Sequence, residues 1–202
     1  MTDLFESKFI KPMLIGEMAE AFDSADYIYE LKLDGERCIA YLDPKIGTDL
    51  RNKRNVKMLP KVPELSDIHK QVKCRCILDG ELIVIKDGKP DFFEIQRRSL
   101  TSNSFKIYLH SAKLPASFIA FDILYYNDHK THSLPLMERK KLLEELIQDN
   151  ERLSVSRYTQ IIYIRKVLHV SPARAYNIKF IYKSFYLGLL GDFINPPLGS
   201  VG

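Results

Sequence analysis

At 202 residues, with 46% hydrophobic and 28% charged residues, the chain is long enough for one good core or two small domains and has the composition of an ordinary soluble protein. Its formal charge of +4 resides in residues 159–202; the first 158 residues carry 25 Lys/Arg against 25 Asp/Glu, so net charge gives no argument for nucleic-acid binding by the main body. Three cysteines behind a start without a signal-like pattern argue against a disulfide framework and for a reducing compartment, the cytoplasm, and no apolar run reaches the roughly 18 residues of a membrane span.

The opening FESKFIKPMLIGEMAEAF holds a proline and then a short helical pattern. It leads into two expected strands, YIYELKL and RCIAYLD, read as a hairpin across Asp34-Gly35. Side chains alternate in a strand, so Glu30, Lys32 and Asp34 would share one side, Leu31 and Leu33 the other, and Arg37 would return past the turn. The stretch ELKLDGER suits a nucleotidyl-transferring lysine. Attack on phosphorus by a lysine needs a lowered pKa or a proton acceptor, together with cations that neutralise the phosphate. Lys32 is the candidate nucleophile, although a plain hairpin with a solvated charged face accounts for the same residues.

DLRNKRNVKML follows as a basic strand or loop, and in LPKVPELSDIHKQV two prolines give way to an expected short amphipathic helix. CRCILDGELIVIKDGKPDF is the clearest strand pair, with Lys-Asp-Gly-Lys as its turn. Cys74 and Cys76 alternate there and would share one face; with His69 upstream, the spacing falls short of a zinc site. Asp79, Gly80 and Glu81 interrupt the apolar run. A carboxylate in such a strand is costly unless it is paired or faces a cleft, which makes Glu81 a site candidate; the alternative is a bulge at Gly80 with Glu81 facing water. FEIQRRSLTSNSFKIYLHSAK reads as a helix and a loop, and ASFIAFDILYYN as an apolar strand bearing Asp122. Phe121, beside that acid, suits either stacking on a base or core packing. LPLMERKKLLEELIQD is an amphipathic helix, no internal repeat is visible, and composition changes near Tyr158.

Taken together, residues 9–158 resemble the nucleotidyltransferase domain of ATP-dependent DNA ligases of the bacterial kind, including the ligase domain of end-joining enzymes. KPML, ELKLDGER, LRNKRN, ILDGELIVI, GKPDFFEIQRR, FIAFDILYYN and LPLMERKKLL occur in that family's order and spacing. ELKLDGER alone is moderately specific, because capping enzymes and RNA ligases share its KxDGxR pattern; the ordered set is far more specific. The resemblance implies an α+β, ATP-grasp-like fold of antiparallel sheets flanked by helices. It implies that Lys32 attacks the α-phosphate of ATP, expels pyrophosphate and retains AMP covalently. Glu30 would bind the adenine edge, Arg37 and Glu81 the ribose, and Phe121 would stack on the adenine. Asp34 would serve catalysis and magnesium. Arg51, in Leu50-Arg51-Asn52 where the family often has Ser-Arg-Asn, would contact the 5′-phosphate of a nick in duplex DNA. ATP as AMP donor, Mg2+ and nicked duplex DNA are thus the implied cofactors and partner, for sealing nicks in repair, recombination or replication.

The sequence also departs from that pattern. The family's next motifs are a Glu-Gly strand that supplies a metal-binding glutamate and a KxK strand that holds the α-phosphate. Glu151 is the last glutamate, no glycine occurs between Gly88 and Gly188, and Lys166, Lys179 and Lys183 lack KxK spacing. The OB-fold, roughly a hundred residues in these ligases, is missing as well. The chain is therefore read as a partial adenylation domain, 1–158, with a divergent basic and aromatic tail, 159–202, left by truncation or a frameshift, the alternative being a divergent tail with its own role. Lysyl-AMP formation is expected to be weak or absent unless the tail or a protein partner supplies substitutes. Two other readings stay open: an RNA ligase or capping-type nucleotidyltransferase, and a non-catalytic nucleotide- or nucleic-acid-binding remnant. The LPLMERKKLL helix after FDILYYN favours DNA ligase.

Overall fold

The computed structural model describes residues 3–12, 27–159 and 184–185. The helical pattern expected after Pro12 and most of the 159–202 tail lie outside the described residues. In chain order come α1 (Leu4–Ser7), β1 (Ile28–Glu30), β2 (Glu36–Asp43), β3 (Gly47–Asn52), three 3-10 turns within residues 59–71, β4 (Cys76–Lys86) and β5 (Lys89–Pro90). These are followed by α2 (Phe92–Leu100), α3 (Ser104–Lys113), β6 (Ala116–Tyr126), β7 (His129–Lys130), α4 (Leu136–Leu146), β8 (Leu153–Val155), β9 (Tyr158–Thr159) and β10 (Ser184–Phe185). The chain divides into two compact units, residues 1–12 with 34–155 and residues 13–33 with 156–202.

The expected hairpin across Asp34-Gly35 does not form. In the smaller unit β1 pairs with β9 antiparallel, Glu30 opposite Tyr158, and with β10 in parallel. In the larger unit β2 pairs with β3 and β4. The two strands thus belong to different sheets, and residues 31–35 link them. Gly35 explains the difference: its φ is not positive, and a Cβ there would lie 2.2 Å from the Leu82 carbonyl oxygen and 2.9 Å from Glu81 Cγ. It is a glycine of close approach rather than of chain reversal. Asp87 and Gly88, at φ 51° and 74°, do reverse the chain between β4 and β5 as a two-residue hairpin turn requires.

Seven strands form the larger sheet in the order β3-β2-β4-β6-β7, with β5 paired to β4 and β8 to β6. All pairings in it are antiparallel except β6–β8. One face carries Cys38, Ala40, Leu42, Leu78, Leu82 and Phe118 and is closed by Leu65, Ile95, Leu143 and Leu146 from the turns and helices. The proline-rich segment makes short 3-10 turns instead of the expected amphipathic helix. Val62 is held at φ −133° and ψ 60° before Pro63, and a residue preceding proline is disfavoured from helical geometry. The stretch read as a helix and a loop is two helices, because Asn103 caps the second by accepting from Lys106 N at 3.0 Å. Of the two alternating cysteines only Cys76 lies in β4; Cys74 precedes it.

Candidate active site

The other face of the larger sheet falls into two halves. The first is apolar: Phe5, Ile39, Tyr41, Ile77 and Tyr125 cluster there, with Leu4 and Ile10 of the N-terminal segment packed against them. Arg75 anchors that segment through Asp3 at 3.2 Å and also pairs with Asp128, while the Lys8 ammonium lies 3.7 Å from the Phe5 ring centre. The second half is charged. It holds Arg37 directly opposite Glu81 on the β2–β4 ladder, with Asp79 two residues before Glu81 on the same face.

Register shifts on β6 explain how an aromatic joins these charges. Asp79 faces Asp122 and Gly80 faces Ala120, so Phe121 is an extra residue bulged out of the ladder. A second shift, Leu78 to Ile123 and Ile77 to Tyr125, leaves Leu124 as another. Gly80 permits the first bulge. A Cβ there would stand 2.4 Å from the Ile119 carbonyl oxygen and 2.5 Å from Phe118 Cζ. The Arg37 guanidinium lies over the Phe121 ring, 4.2 Å from its centre, and forks onto Asp79, with Nε donating at 2.6 Å and NH2 at 2.7 Å. Burial pushes the Asp79 carboxyl up to about 6, the Asp122 charge opposite adds to the rise, and Arg37 opposes it.

Arg37, Glu81 and Phe121 therefore converge on one sheet face. Arg51 lies on β3 opposite Ile39, hence on that same face, where it is held by Asp49 at 3.0 Å and by the Asn55 side chain at 3.4 Å. Glu30 and Lys32 belong to the smaller unit. Glu30 is buried at the end of β1, and Lys32 is half-buried between buried Leu31 and Leu33 on the link to β2. Asp34 is exposed at the start of the larger unit. Among the described residues no three His, Cys, Asp or Glu side chains are grouped as a metal site. Asp34 would offer magnesium a single carboxylate, an oxygen ligand of the kind that ion takes.

Four residues of this region were not singled out as site residues from sequence: Asp79, Asp122, Arg139 and Lys140. Asp122 accepts from Arg139 Nε at 2.7 Å and from NH2 at 3.1 Å, and Lys140 Nζ donates to the Phe121 carbonyl at 2.6 Å. A signal for the last two existed. Arg139, Lys140, Leu143 and Leu146 form the buried stripe of α4, so two cations occupy positions that the helical period assigns to the core.

A family model described as the ATP dependent DNA ligase domain matches residues 11–171. A DNA ligase of Archaeoglobus fulgidus is 35% identical over 153 residues, which make up 72% of this chain and 27% of the relative. An SPbeta prophage-derived DNA ligase-like protein of Bacillus subtilis is 33% identical over 154 residues, 75% of this chain and 53% of the relative. The chain thus spans about a quarter to about half the length of these relatives. Among solved structures, mycobacterial DNA ligase D complexed with ATP and MES superposes with a TM-score of 0.57 at 23% identity, covering 75% of this chain and 46% of that one. At that identity the likeness speaks for the fold, an α+β arrangement of curled antiparallel sheet with flanking helices. With a match over most of its length and the ordered motifs in place, the chain belongs to the family of ATP-dependent DNA ligase domains.

Proposed function

We propose that this chain carries the adenylation chemistry of an ATP-dependent DNA ligase, for sealing nicks in DNA. Lys32 Nζ attacks the α-phosphorus of ATP, the bond to the β-phosphate oxygen breaks, pyrophosphate leaves with the electron pair, and the amine proton passes to solvent. The product is lysyl-AMP. Phe121 stacks on the adenine, Arg37 and Glu81 hold the ribose hydroxyls, and Glu30 binds the adenine edge. Arg51 contacts the 5′-phosphate of the nick. Asp34, two residues after the nucleophile, would offer magnesium a carboxylate, and the ion would supply neutralisation of charge on the phosphates. Residues 1–158 form the adenylation part, 159–202 a separate tail, and the cytoplasm is the compartment.

What carries this reading is the Arg37, Asp79, Glu81 and Phe121 group, five residues and more along the chain from Lys32, on a bulged sheet face. An aromatic ring beside opposed acid and base side chains suits a nucleoside, which offers one flat apolar part and one polyhydroxyl part. The missing Glu-Gly and KxK motifs set the expected rate. Loss of one electrostatic stabiliser costs roughly a hundredfold to a thousandfold, and more than one is missing.

Incubation with α-labelled ATP and Mg2+ tests the proposal. Slow label on the chain, abolished by Lys32→Ala, is the expected result, and rapid stoichiometric transfer would show that the 159–202 tail supplies substitutes. A chain stabilised by ATP against heat but never labelled would be a nucleotide-binding remnant. A chain that neither binds ATP nor takes label overturns the reading.

A further inference from the structure

We propose that Arg139 and Lys140 of α4 are positioning residues that hold the β6 bulge and thereby aim Phe121 at a nucleobase; the assignment of the base rests on the function proposed above. Three consecutive residues of the bulged segment are tied from outside the ladder. The Phe121 carbonyl accepts from Lys140 Nζ at 2.6 Å, the Asp122 carboxylate is gripped by Arg139, and the Ile123 carbonyl accepts from Thr131 Oγ1. Asp122 also folds back to accept from Ile123 N at 2.9 Å, and Arg139 NH1 donates to the Leu134 carbonyl at 2.5 Å, which joins the bulge to the start of α4.

Simple stabilisation of the helix is a poor account of these cations. Arg139 and Lys140 are 8% and 1% exposed, and apolar residues on the same stripe would pack against the sheet without the desolvation cost of charge. Their placement follows instead from what a bulge leaves behind. An extra residue is left unpaired and takes its carbonyl out of the ladder, and a buried carbonyl without a donor is costly. Lys140 supplies that donor at Phe121, whose ring meets Arg37. Electrostatics add a second constraint, because Asp79 and Asp122 face each other across β4 and β6. Arg37 balances the first and Arg139 the second. Without Arg139 the two carboxylates would compete for Arg37, drawing its guanidinium off the Phe121 ring.

The test uses the full chain. Amide hydrogen exchange without nucleotide, and calorimetric binding of AMP and of tripolyphosphate, are compared for the parent, Lys140→Met, Lys140→Arg and Thr131→Val. Lys140→Met should lose protection at residues 119–124 while β2 and α2 keep theirs. Its AMP affinity should fall roughly tenfold, the scale of one aromatic–base stack, with tripolyphosphate binding unchanged. Lys140→Arg should restore most of both, and Thr131→Val should give a smaller loss of the same pattern. If Lys140→Met does not fold, Thr131→Val decides alone. Unchanged exchange at 119–124, or a uniform loss of protection in which AMP and tripolyphosphate weaken together, overturns the proposal. Should the parent bind no AMP, the nucleotide reading falls, and the exchange pattern still decides whether these residues hold the bulge.

Discussion

The two faces of the seven-stranded sheet each carry an arginine forked onto a carboxylate, buried in Arg98 and half-buried in Arg37, and the two pairs have different surroundings. On the helix-covered face Arg98 grips Glu64 at 2.6 and 2.8 Å and also donates to the carbonyls of Lys61 and Leu114, while Glu64 accepts from Ala116 N at 2.6 Å. That pair ends on backbone. It ties the 3-10 segment, α2, the end of α3 and the start of β6 into one body. On the opposite face Arg37 forks onto Asp79 under an aromatic ring, with Glu81 across the ladder, so this pair meets side chains that a ligand can share. An ion pair that terminates on main-chain groups holds a fold; one that terminates on side chains beside a ring leaves polar groups within a ligand's reach.

Breaking the first pair should have the largest effect. Arg98→Met leaves the largely covered Glu64 carboxylate without its cation, and we expect unfolding in urea to show a loss of about 3–5 kcal/mol. A loss below about 1 kcal/mol would mean that the backbone staple contributes little and that the contrast between the faces is false.

The second pair should respond to pH instead. The folded-state pKa of Asp79 is about 6 against an ordinary 3.8, so the folded chain holds this proton more tightly than the unfolded one. Its contribution to stability is fully present below 3.8 and is lost as pH rises through about 6, a swing of up to about 3 kcal/mol. In Asp79→Asn that swing should vanish, so subtracting its stability–pH curve from the parent's should leave a difference that falls between pH 4 and 6.5, in about the range set by the two pKa values. Parallel curves would sink the assignment.

The smallest effect on stability sharpens the comparison most. Phe121→Leu keeps an apolar side chain of similar bulk and should cost under about 1.5 kcal/mol. Its affinity for AMP should nevertheless fall by about 1–3 kcal/mol, because a branched aliphatic gives no face for a base. Equal binding by the two proteins would remove Phe121 from the site.

Much of this was legible in the chain. The β4–β5 reversal announces itself as Asp87-Gly88, α4 as a helical period of leucines, and Glu81 as a carboxylate misplaced in an apolar run. Asp34-Gly35 misled for a physical reason: the same dipeptide that suits a tight turn also suits a passage where backbone presses on backbone, and only the neighbouring β4 tells the two apart. Bulges are harder still. A strand as apolar as ASFIAFDILYY shows no interrupted alternation, so neither the extra residue at Phe121 nor the need for Lys140 beneath it can be counted off locally. Asp79 escaped for a related reason, since its partner Arg37 comes from a strand 42 residues earlier.

The paired bulges bear on what the fold would tolerate losing. The core-facing residues of β6 are Ala116, Phe118, Ala120, Ile123 and Tyr126, a series whose spacing is two, two, three and three. Remove Phe121 and Leu124 and the same five residues fall into plain alternation, each separated by one outward neighbour. The Phe121 ring is therefore carried on an insertion laid over a complete strand. A chain without these two residues would keep the core-facing series of β6 and its register with β4, and would look in sequence like a cleaner strand than the bulged one.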